Sequence, residues 1–313
     1  MNIVFFGTSE FAIPSLEALL GSKHRVTAVV TQPDSKKGRS LKLLPSPIKV
    51  AAAAKGITIY QPTDASSSGF AAELGKLKAD LFVVISFGQI LKSNILKIPA
   101  IFSVNVHGSL LPKYRGAAPT NHAIINGEPA TGVTVMKLNE KMDEGDIIVK
   151  EEIPIDNEDT NITLTEKLSK LGASVLMKAI GLIEAKDKTT YLTKQDPSLA
   201  TYAPKLKKLD GLINWKEPAD MIHRKVRGLL PWPGAYTRYE GKTFKILKTS
   251  IERPSRSNAA AGEVVAASAL EGICVNTGSG VIAIKYLKPE GKKAMDSGSF
   301  LLGYRIKPGY RFE

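Results

Sequence analysis

Two polar residues, Asn105 and His107, are separated by a single residue at the end of an apolar run, residues 101–106. Side chains at positions i and i+2 of a β-strand point to the same face of the sheet. If the run is a strand, an amide donor and an imidazole converge on one small volume. Such a pair can stabilise a developing oxyanion and exchange a proton near neutral pH. By itself, the spacing fits a hydrogen-bonded structural histidine equally well.

The elements that would position this pair alternate between apolar strands and helices. Helical patterns cover residues 47–55, 70–76 and 164–184, and Thr8 and Ser9 offer an N-cap for another that runs to about residue 20. The strand candidates are residues 2–6, 26–31, 57–60, 80–86, 101–106 and 133–138. This pattern predicts an α/β, Rossmann-like fold with a mostly parallel sheet that helices cover on both faces. Ligands of such sheets bind beyond the carboxyl ends of the strands, where Asn105 and His107 lie.

The last third of the chain differs in charge and pattern. Residues 204–313 hold 20 Lys and Arg against 10 Asp and Glu, so they carry +10 of the total +13. Short apolar runs at 243–247, 262–265, 272–276 and 281–286 predict a small β-barrel. We expect a catalytic domain over 1–188, a linker over 189–208 and a basic, OB-like barrel over 209–313, a fold suited to holding nucleic acid. The excess charge favours a polyanionic partner, although a generic solubilising surface would also produce it.

Composition excludes several classes of protein. No apolar stretch reaches the roughly 20 residues that cross a bilayer, so we expect a cytoplasmic protein without a membrane partner. The lone Cys274 lies in an apolar run and reads as a core thiol in a reducing compartment. Gly7 is a single glycine where the dinucleotide fingerprint needs three, which argues against a dehydrogenase.

A longer pattern surrounds the Asn-x-His pair. Residues 108–119 read Gly-Ser-Leu-Leu-Pro-Lys-Tyr-Arg-Gly-Ala-Ala-Pro, and residues 142–146 read Met-Asp-Glu-Gly-Asp. The first segment resembles the signature of the 10-formyltetrahydrofolate-dependent formyltransferases. The resemblance also includes residues 6–12, 32–49 and 202–205, and so covers nearly the whole chain. One departure is Ser86-Phe87-Gly88, where the family commonly has Ala-Tyr-Gly; this leaves the polar details of the folate pocket open.

The resemblance implies a catalytic trio and a folate pocket, with no metal. Asn105 would donate to the oxyanion, and His107 would either accept the proton of the attacking amine or stabilise the charged intermediate. Asp143 would orient His107 or a water, although a turn residue is the ordinary reading of such an acidic cluster. The implied contacts with 10-formyltetrahydrofolate are Phe87, Gly88, Gln89, Ile90, Ser109, Leu110, Leu111 and Pro112.

The acceptor is inferred from charge together with the resemblance. Residues 34–49 contain five Lys and Arg against one acid, which predicts a mobile basic loop. The resemblance implies that this loop enters the acceptor stem of a tRNA, and Arg39 is the position that best matches the family's tRNA enzymes. The candidate tRNA-binding residues are Lys36, Lys37, Arg39, Lys42, Lys205, Lys207 and Lys208. The expected reaction is formylation of the methionine α-amino group on initiator Met-tRNA by a monomer. Two alternatives are a formyltransferase acting on a nucleotide sugar amine or glycinamide ribonucleotide, and an RNA-binding protein without activity.

Overall fold

The computed structural model describes residues 1–37, 42–185, 191–252 and 259–313. These residues form two compact units. The N-terminal unit comprises Met1–Pro119, Thr131–Ile153 and Thr165–Ala203, and the C-terminal unit comprises Thr120–Ala130, Pro154–Leu164 and Pro204–Glu313. The chain therefore passes between the units several times, whereas a single linker between two domains was predicted. Residues 191–203 of that linker cluster with the N-terminal unit, and the predicted limits 1–188, 189–208 and 209–313 stay a prediction.

A seven-stranded sheet forms the centre of the N-terminal part of the chain. Its strands, together with a separate hairpin formed by β3 and β4, are β1 Asn2–Gly7, β2 Arg25–Val30, β3 Ser35–Lys37, β4 Lys42–Leu44, β5 Ile59–Tyr60, β6 Leu81–Ile85, β7 Phe102–His107, β8 Ala130–Lys137 and β9 Ile147–Pro154. The strand order is β5-β2-β1-β6-β7-β8-β9. Pairing is parallel from β5 to β7 and antiparallel between β7 and β8. The predicted mostly parallel sheet is confirmed.

The sheet order reverses at β1, whose two neighbours β2 and β6 continue the chain in opposite directions across the sheet. Sheets of this kind bind ligands in the crevice beyond the carboxyl ends of such strands. Residue His107 ends β7, and β7 pairs with β6 through Asn105 opposite Val84. The Asn-x-His pair therefore lies at the carboxyl end of β7, two strands from β1, on the side of the sheet where a ligand is expected.

Eight α-helices are found in the described part of the chain. They are α1 Ile13–Leu20, α2 Pro47–Ala53, α3 Ser68–Lys76, α4 Ser93–Leu96, α5 Pro119–Ile125, α6 Asn161–Glu184, α7 Ala219–Gly228 and α8 Ser297–Gly303. The hydroxyls of Ser46 and Ser67 accept hydrogen bonds from backbone N–H groups and so cap α2 and α3. In α6, Leu164, Leu168 and Val175 are fully buried, as their helical spacing predicts. None of the described helices is both long and apolar enough to cross a membrane.

The basic segment 34–49 differs from its prediction. Its described flanks pair as the antiparallel strands β3 and β4, with Lys36 opposite Leu43. The sequence predicts a mobile basic loop here but not the pairing of its flanks, because strands of three residues leave too little alternation to recognise. Arg39 lies outside the described residues. The base of the hairpin is closed by the Lys49 ammonium, 2.8 Å from the Asp34 carboxylate.

The C-terminal unit contains an antiparallel sheet. Its strands are β10 Tyr236–Tyr239, β11 Lys242–Glu252, β12 Val264–Ser268, β13 Gly272–Asn276, β14 Val281–Pro289 and β15 Met295–Asp296. The path runs β10-β11-β14-β13-β12, with β15 on β14. The chain end bridges its two edges, since Val264 of β12 donates its N–H to the Tyr310 carbonyl and the Glu313 N–H donates to the Arg238 carbonyl on β10. This closure confirms the predicted small barrel.

Cys274 lies on β13 and is buried, as its apolar flanks predict. Burial raises the pKa of its thiol, with Glu252 and Glu271 adding to the effect. Because the thiolate is the reactive form, this environment suits a packing residue rather than a nucleophile.

Candidate active site

His107 is held at both nitrogens of its ring. It is 6% exposed, its Nε2 lies 2.9 Å from the Tyr114 carbonyl, and its Nδ1 lies 3.7 Å from Asp143 Oδ2. A carbonyl oxygen can only accept, so the Nε2–H donates to Tyr114. In the neutral ring the lone pair then lies on Nδ1, the nitrogen that faces Asp143.

Asp143 is fixed by its backbone as well as by its carboxylate. Its φ of 53° lies in the left-handed region, which Asp adopts more readily than most residues. The Gly116 N–H donates to Asp143 Oδ2 over 2.8 Å. Asp143 is thus a turn residue, the ordinary reading of the acidic cluster, and its carboxylate also contacts the predicted histidine.

The side-chain amide of Asn105 is free of hydrogen bonds in the part of the chain that the structure describes. It lies between Val84 of β6 and Met136 of β8 in the sheet register and is half-buried. Among the described residues, none forms a hydrogen bond with its side chain. An amide in this position keeps both donors for a ligand that approaches the edge of the sheet.

The segment after His107 is shaped by a hydroxyl outside it. Thr134 Oγ1 of β8 donates to the Ser109 carbonyl over 2.7 Å and accepts from the Leu111 N–H over 3.1 Å. Ser109 Oγ in turn donates to the Lys113 carbonyl over 2.6 Å. Ser109 and Leu111 are fully buried, whereas Leu110 and Pro112 are half-buried. Of the four residues predicted to bind folate here, Leu110 and Pro112 can therefore offer side-chain surface.

Gly116 is required where the segment meets the chain at Ala203. Its φ is +119°, and a Cβ at this position would lie 2.7 Å from the Ala203 carbonyl oxygen. The approach is fixed by two backbone hydrogen bonds, from the Ala203 N–H to the Arg115 carbonyl and from the Arg115 N–H to the Thr201 carbonyl. A side chain at Gly116 would strain the backbone that donates to Asp143.

The second predicted wall follows β6. The ring of Phe87 is 2% exposed and packs edge-on against Phe6, so any ligand contact of this residue would come from its backbone. Thr8 Oγ1 donates to the Phe87 carbonyl over 2.8 Å. Gly88 has a φ of +91° and is exposed, and Ile90 is 73% exposed.

Gln89, the remaining residue of this wall, is half-buried and joins neighbouring loops. Its Nε2 donates to the Gln32 side-chain oxygen over 3.3 Å and to the Pro62 carbonyl over 3.2 Å. Its Oε1 accepts from the Ala65 N–H over 2.8 Å. The glutamine therefore fixes the loop that Gly88 and Ile90 share.

Most of the predicted tRNA-binding lysines are exposed. Lys36 and Lys42 lie on the hairpin, and the register pairs Lys37 with Lys42. Lys205, Lys207 and Lys208 are exposed in the C-terminal unit. Three residues that contribute to the site were not predicted as functional. Thr134 fixes the segment after His107, and the Arg115 guanidinium donates to Gln195, whose amide donates to the Asp143 carbonyl. An arginine next to a glycine in the recognised segment was the available signal for Arg115; nothing local marked the other two.

Comparison with known proteins matches both parts of the chain to one family. The sequence model of the formyl transferase family matches residues 1–180, and that of the formyl transferase C-terminal domain matches residues 205–305. The chain belongs to the formyl transferase family.

Two similar full-length relatives have the same name. A methionyl-tRNA formyltransferase from Moorella thermoacetica is 44% identical over 309 residues, covering 99% of this chain and 98% of the relative. Another from Geobacter metallireducens is 43% identical over 311 residues, with coverage of 99% and 98%. Over this length, the similarity includes both units.

Solved structures show the same fold at lower identity. WlaRD, a sugar 3N-formyl transferase crystallised with dTDP and 5-N-formyl-THF, aligns with a TM-score of 0.65 at 23% identity, covering 94% of this chain and 99% of its own. HypX from Aquifex aeolicus, in complex with tetrahydrofolic acid, aligns with a TM-score of 0.62 at 17% identity. That alignment covers 96% of this chain and 46% of HypX, so this chain spans less than half of that protein.

Proposed function

We propose that the protein transfers the formyl group of 10-formyltetrahydrofolate to the α-amino group of methionine on initiator Met-tRNA. The observation that carries the proposal is the contact of His107 with Asp143, 3.7 Å apart, beside the unused amide of Asn105 in a chain of the formyl transferase family. The 44% and 43% identical methionyl-tRNA formyltransferases support this acceptor, and the folate-bound WlaRD and HypX support a folate donor. The product, formylmethionyl-tRNA, would serve translation initiation, so we propose that the reaction takes place in the cytoplasm.

In the proposed mechanism the amine nitrogen attacks the formyl carbon, and the carbonyl oxygen becomes an oxyanion. Asn105 donates a hydrogen bond to that oxygen, an interaction whose removal typically costs about 3 kcal/mol in the barrier. The attacking amine becomes cationic and loses a proton to His107 Nδ1, the nitrogen that carries the lone pair. The oxyanion would then re-form the carbonyl as the bond from N10 to the formyl carbon breaks, and N10 would take up the proton that the His107 imidazolium returns. The products are formylmethionyl-tRNA and tetrahydrofolate, and His107 is neutral again.

Asp143 stabilises positive charge in this mechanism, and Gly116 holds it in place. Its carboxylate faces the nitrogen that becomes protonated, so it stabilises the imidazolium that forms during the reaction. Its hydrogen bond from Gly116 keeps the carboxylate in place when the histidine is neutral. In this mechanism, His107 acts as a base through Nδ1, and Asp143 stabilises the resulting positive charge.

Binding of the acceptor depends on exposed cations. The tRNA phosphates would be contacted by Lys36 and Lys42 on the hairpin and by Lys205, Lys207 and Lys208. The resemblance adds Arg39, which lies outside the described residues, as a further contact. Each neutralised phosphate releases counterions, so binding should weaken as salt rises. A nucleotide sugar amine would need few of these charges, and the sugar 3N-formyl transferase WlaRD is only 23% identical to this chain.

The test is a formylation assay with three acceptors. Purified protein is incubated with 10-formyltetrahydrofolate and initiator Met-tRNA, a dTDP-amino sugar or glycinamide ribonucleotide. We expect rapid formylation of Met-tRNA, slow or absent transfer to the two small acceptors, and loss of transfer in Asn105→Ala. Transfer to a small acceptor and none to Met-tRNA would refute the proposed substrate, and no transfer to any acceptor would refute the proposed reaction.

A further inference from the structure

Gln195 connects a buried arginine to the turn that contains Asp143. Its side-chain Nε2 donates to the carbonyl oxygens of Asp143 and Gly145, each over 2.8 Å. The same nitrogen lies 3.9 Å from the Met136 sulfur. Its Oε1 accepts two hydrogen bonds from Arg115, from Nε over 3.1 Å and from a terminal nitrogen over 2.8 Å. All polar atoms of the amide are therefore used inside the N-terminal unit.

Arg115 fixes the orientation of this amide. The arginine is 4% exposed, and its guanidinium also lies 3.3 Å from the Glu144 carboxylate. Because a guanidinium can only donate, Arg115 requires the oxygen of Gln195 on its side and turns the NH2 group toward the two carbonyls. The arginine thus determines which end of Gln195 meets the Asp143 turn.

The turn needs this support because its backbone is unfavourable. Asp143 has a φ of 53°, and a non-glycine residue held in the left-handed region costs about 1–3 kcal/mol unless its surroundings fix it. Gly145 approaches the Lys137 carbonyl closely, which leaves no room for a Cβ. Two hydrogen bonds from one side chain, to the residues on either side of Glu144, fix the turn in this conformation.

We propose that Gln195 is a positioning residue that sets the carboxylate of Asp143 against His107 Nδ1, with Arg115 orienting its amide. The inference rests on the proposed function, since it assigns to Gln195 an effect on the rate through Asp143. Gln195 touches neither folate nor acceptor in this account. It acts on the backbone of the turn, 52 residues away in sequence.

A positioning role predicts a fall in kcat with unchanged KM values, whereas a general loss of structure would change both. Misplacement of a reacting group by about 1 Å can cost roughly 100-fold in rate without altering the binding of the substrates. We therefore expect Gln195→Met, which keeps the length of the side chain and removes its hydrogen bonds, to lower kcat by roughly 10- to 100-fold. The KM values for folate and for Met-tRNA should stay within about twofold of wild type, since no binding group has moved.

The decisive experiment is a double-mutant cycle. Formylation of Met-tRNA is measured for wild type, Gln195→Met, Asp143→Ala and the double variant. If Gln195 acts through Asp143, the double variant is as slow as Asp143→Ala alone, because the positioned group is already gone. Ser198→Ala, which removes an exposed hydroxyl that donates to Asp196 in the same segment, is the control and should keep the wild-type rate.

Gln195→Glu provides the second variant if Gln195→Met does not fold. It keeps an oxygen for Arg115 and replaces the donor by a carboxylate oxygen that faces two carbonyls, so kcat should fall in the same way. Multiplied losses in the double variant, or a rise in KM with unchanged kcat, would overturn the positioning role. An inactive wild type would instead refute the proposed function, which keeps the two failures apart.

Discussion

The region around His107 and the basic hairpin differ in how the protein holds them. His107 is buried and contacted at both ring nitrogens, and Asp143 is fixed through its carboxylate and its backbone. The hairpin presents Lys36, Lys42 and an exposed Leu43, and its base is closed by the contact of Lys49 with Asp34. The first region is fixed by contacts within the protein, and the second exposes charge to solvent.

This difference assigns separate tasks to the two regions. Chemistry needs groups fixed to within a fraction of an ångström, and buried hydrogen-bond networks provide that precision. Recognition of phosphates needs exposed cations whose contribution depends on salt. Substitutions in the first region should therefore change kcat, whereas substitutions in the hairpin should change the KM for tRNA.

Among the changes at Gly116, Lys49 and His223, the largest effect is expected from Gly116→Ala. The new Cβ would meet the Ala203 carbonyl at 2.7 Å with a φ of +119°, so the backbone that donates to Asp143 must move. We expect kcat to fall at least about tenfold and the free energy of unfolding to fall by about 1–3 kcal/mol. Formylation kinetics and denaturant unfolding measure both.

The matched control is Gly75→Ala in α3. A Cβ at Gly75 meets nothing within 4 Å, and alanine is the better helix former, so the free energy of unfolding should rise by about 0.5–1 kcal/mol with kcat unchanged. Equal behaviour of the two variants would show that Gly116 has no special conformation to protect.

A smaller effect is expected at the base of the hairpin. The Lys49 ammonium contacts both Asp34 oxygens, and this hydrogen bond lowers the pKa of the Asp34 carboxyl. Lys49→Met should loosen the hairpin and raise the KM for Met-tRNA by roughly two- to fivefold, the scale of a partly exposed ion pair. The kcat should not change.

Lys170→Met is the control for charge alone, since it removes an exposed lysine that pairs with Glu166 on α6. Its KM for Met-tRNA should equal that of wild type. A drop in kcat for Lys49→Met would show that the hairpin also shapes the chemical site.

The smallest effect concerns acid stability of the C-terminal unit. Burial lowers the pKa of His223 on α7, with Arg227 and Arg224 acting in the same direction and Glu158 opposing them, and its Nδ1 lies 2.9 Å from the Thr249 hydroxyl. A histidine with a lowered folded pKa protonates first in the unfolded state, so stability is lost as pH falls below about 6.5.

The measurement is the free energy of unfolding between pH 7.5 and pH 5.5. Wild type should lose more stability over this range than His223→Gln, which retains a polar partner for Thr249 and has no proton to gain. An identical pH dependence in the two proteins would contradict the assignment to His223.

The sequence predicted the parts whose signals are local. Continuous apolar runs located the strands of the parallel sheet, and the spacing of Asn105 and His107 placed a candidate pair at the carboxyl end of β7. The charge count separated a basic C-terminal region from the rest. Each of these features depends on neighbours in the chain.

The parts that the sequence could not provide depend on distant contacts. Gln195 lies 52 residues from Asp143 and carries no motif of its own. Thr134 shapes the segment after His107 from a strand 25 residues away. The strand β9 was missed because its exposed positions carry Lys and Glu, which hide a strand that is buried on one face only.

The most direct test of the division between chemistry and recognition is the rate of formylation at saturating initiator Met-tRNA. Asn105→Ala is compared with the double variant Lys36→Ala/Lys42→Ala, both with excess 10-formyltetrahydrofolate. The account predicts that the hairpin variant recovers the wild-type rate once tRNA saturates, whereas Asn105→Ala remains about 100- to 1,000-fold slower. A hairpin variant that stays slow at saturation, or an Asn105→Ala variant that recovers, would contradict the account.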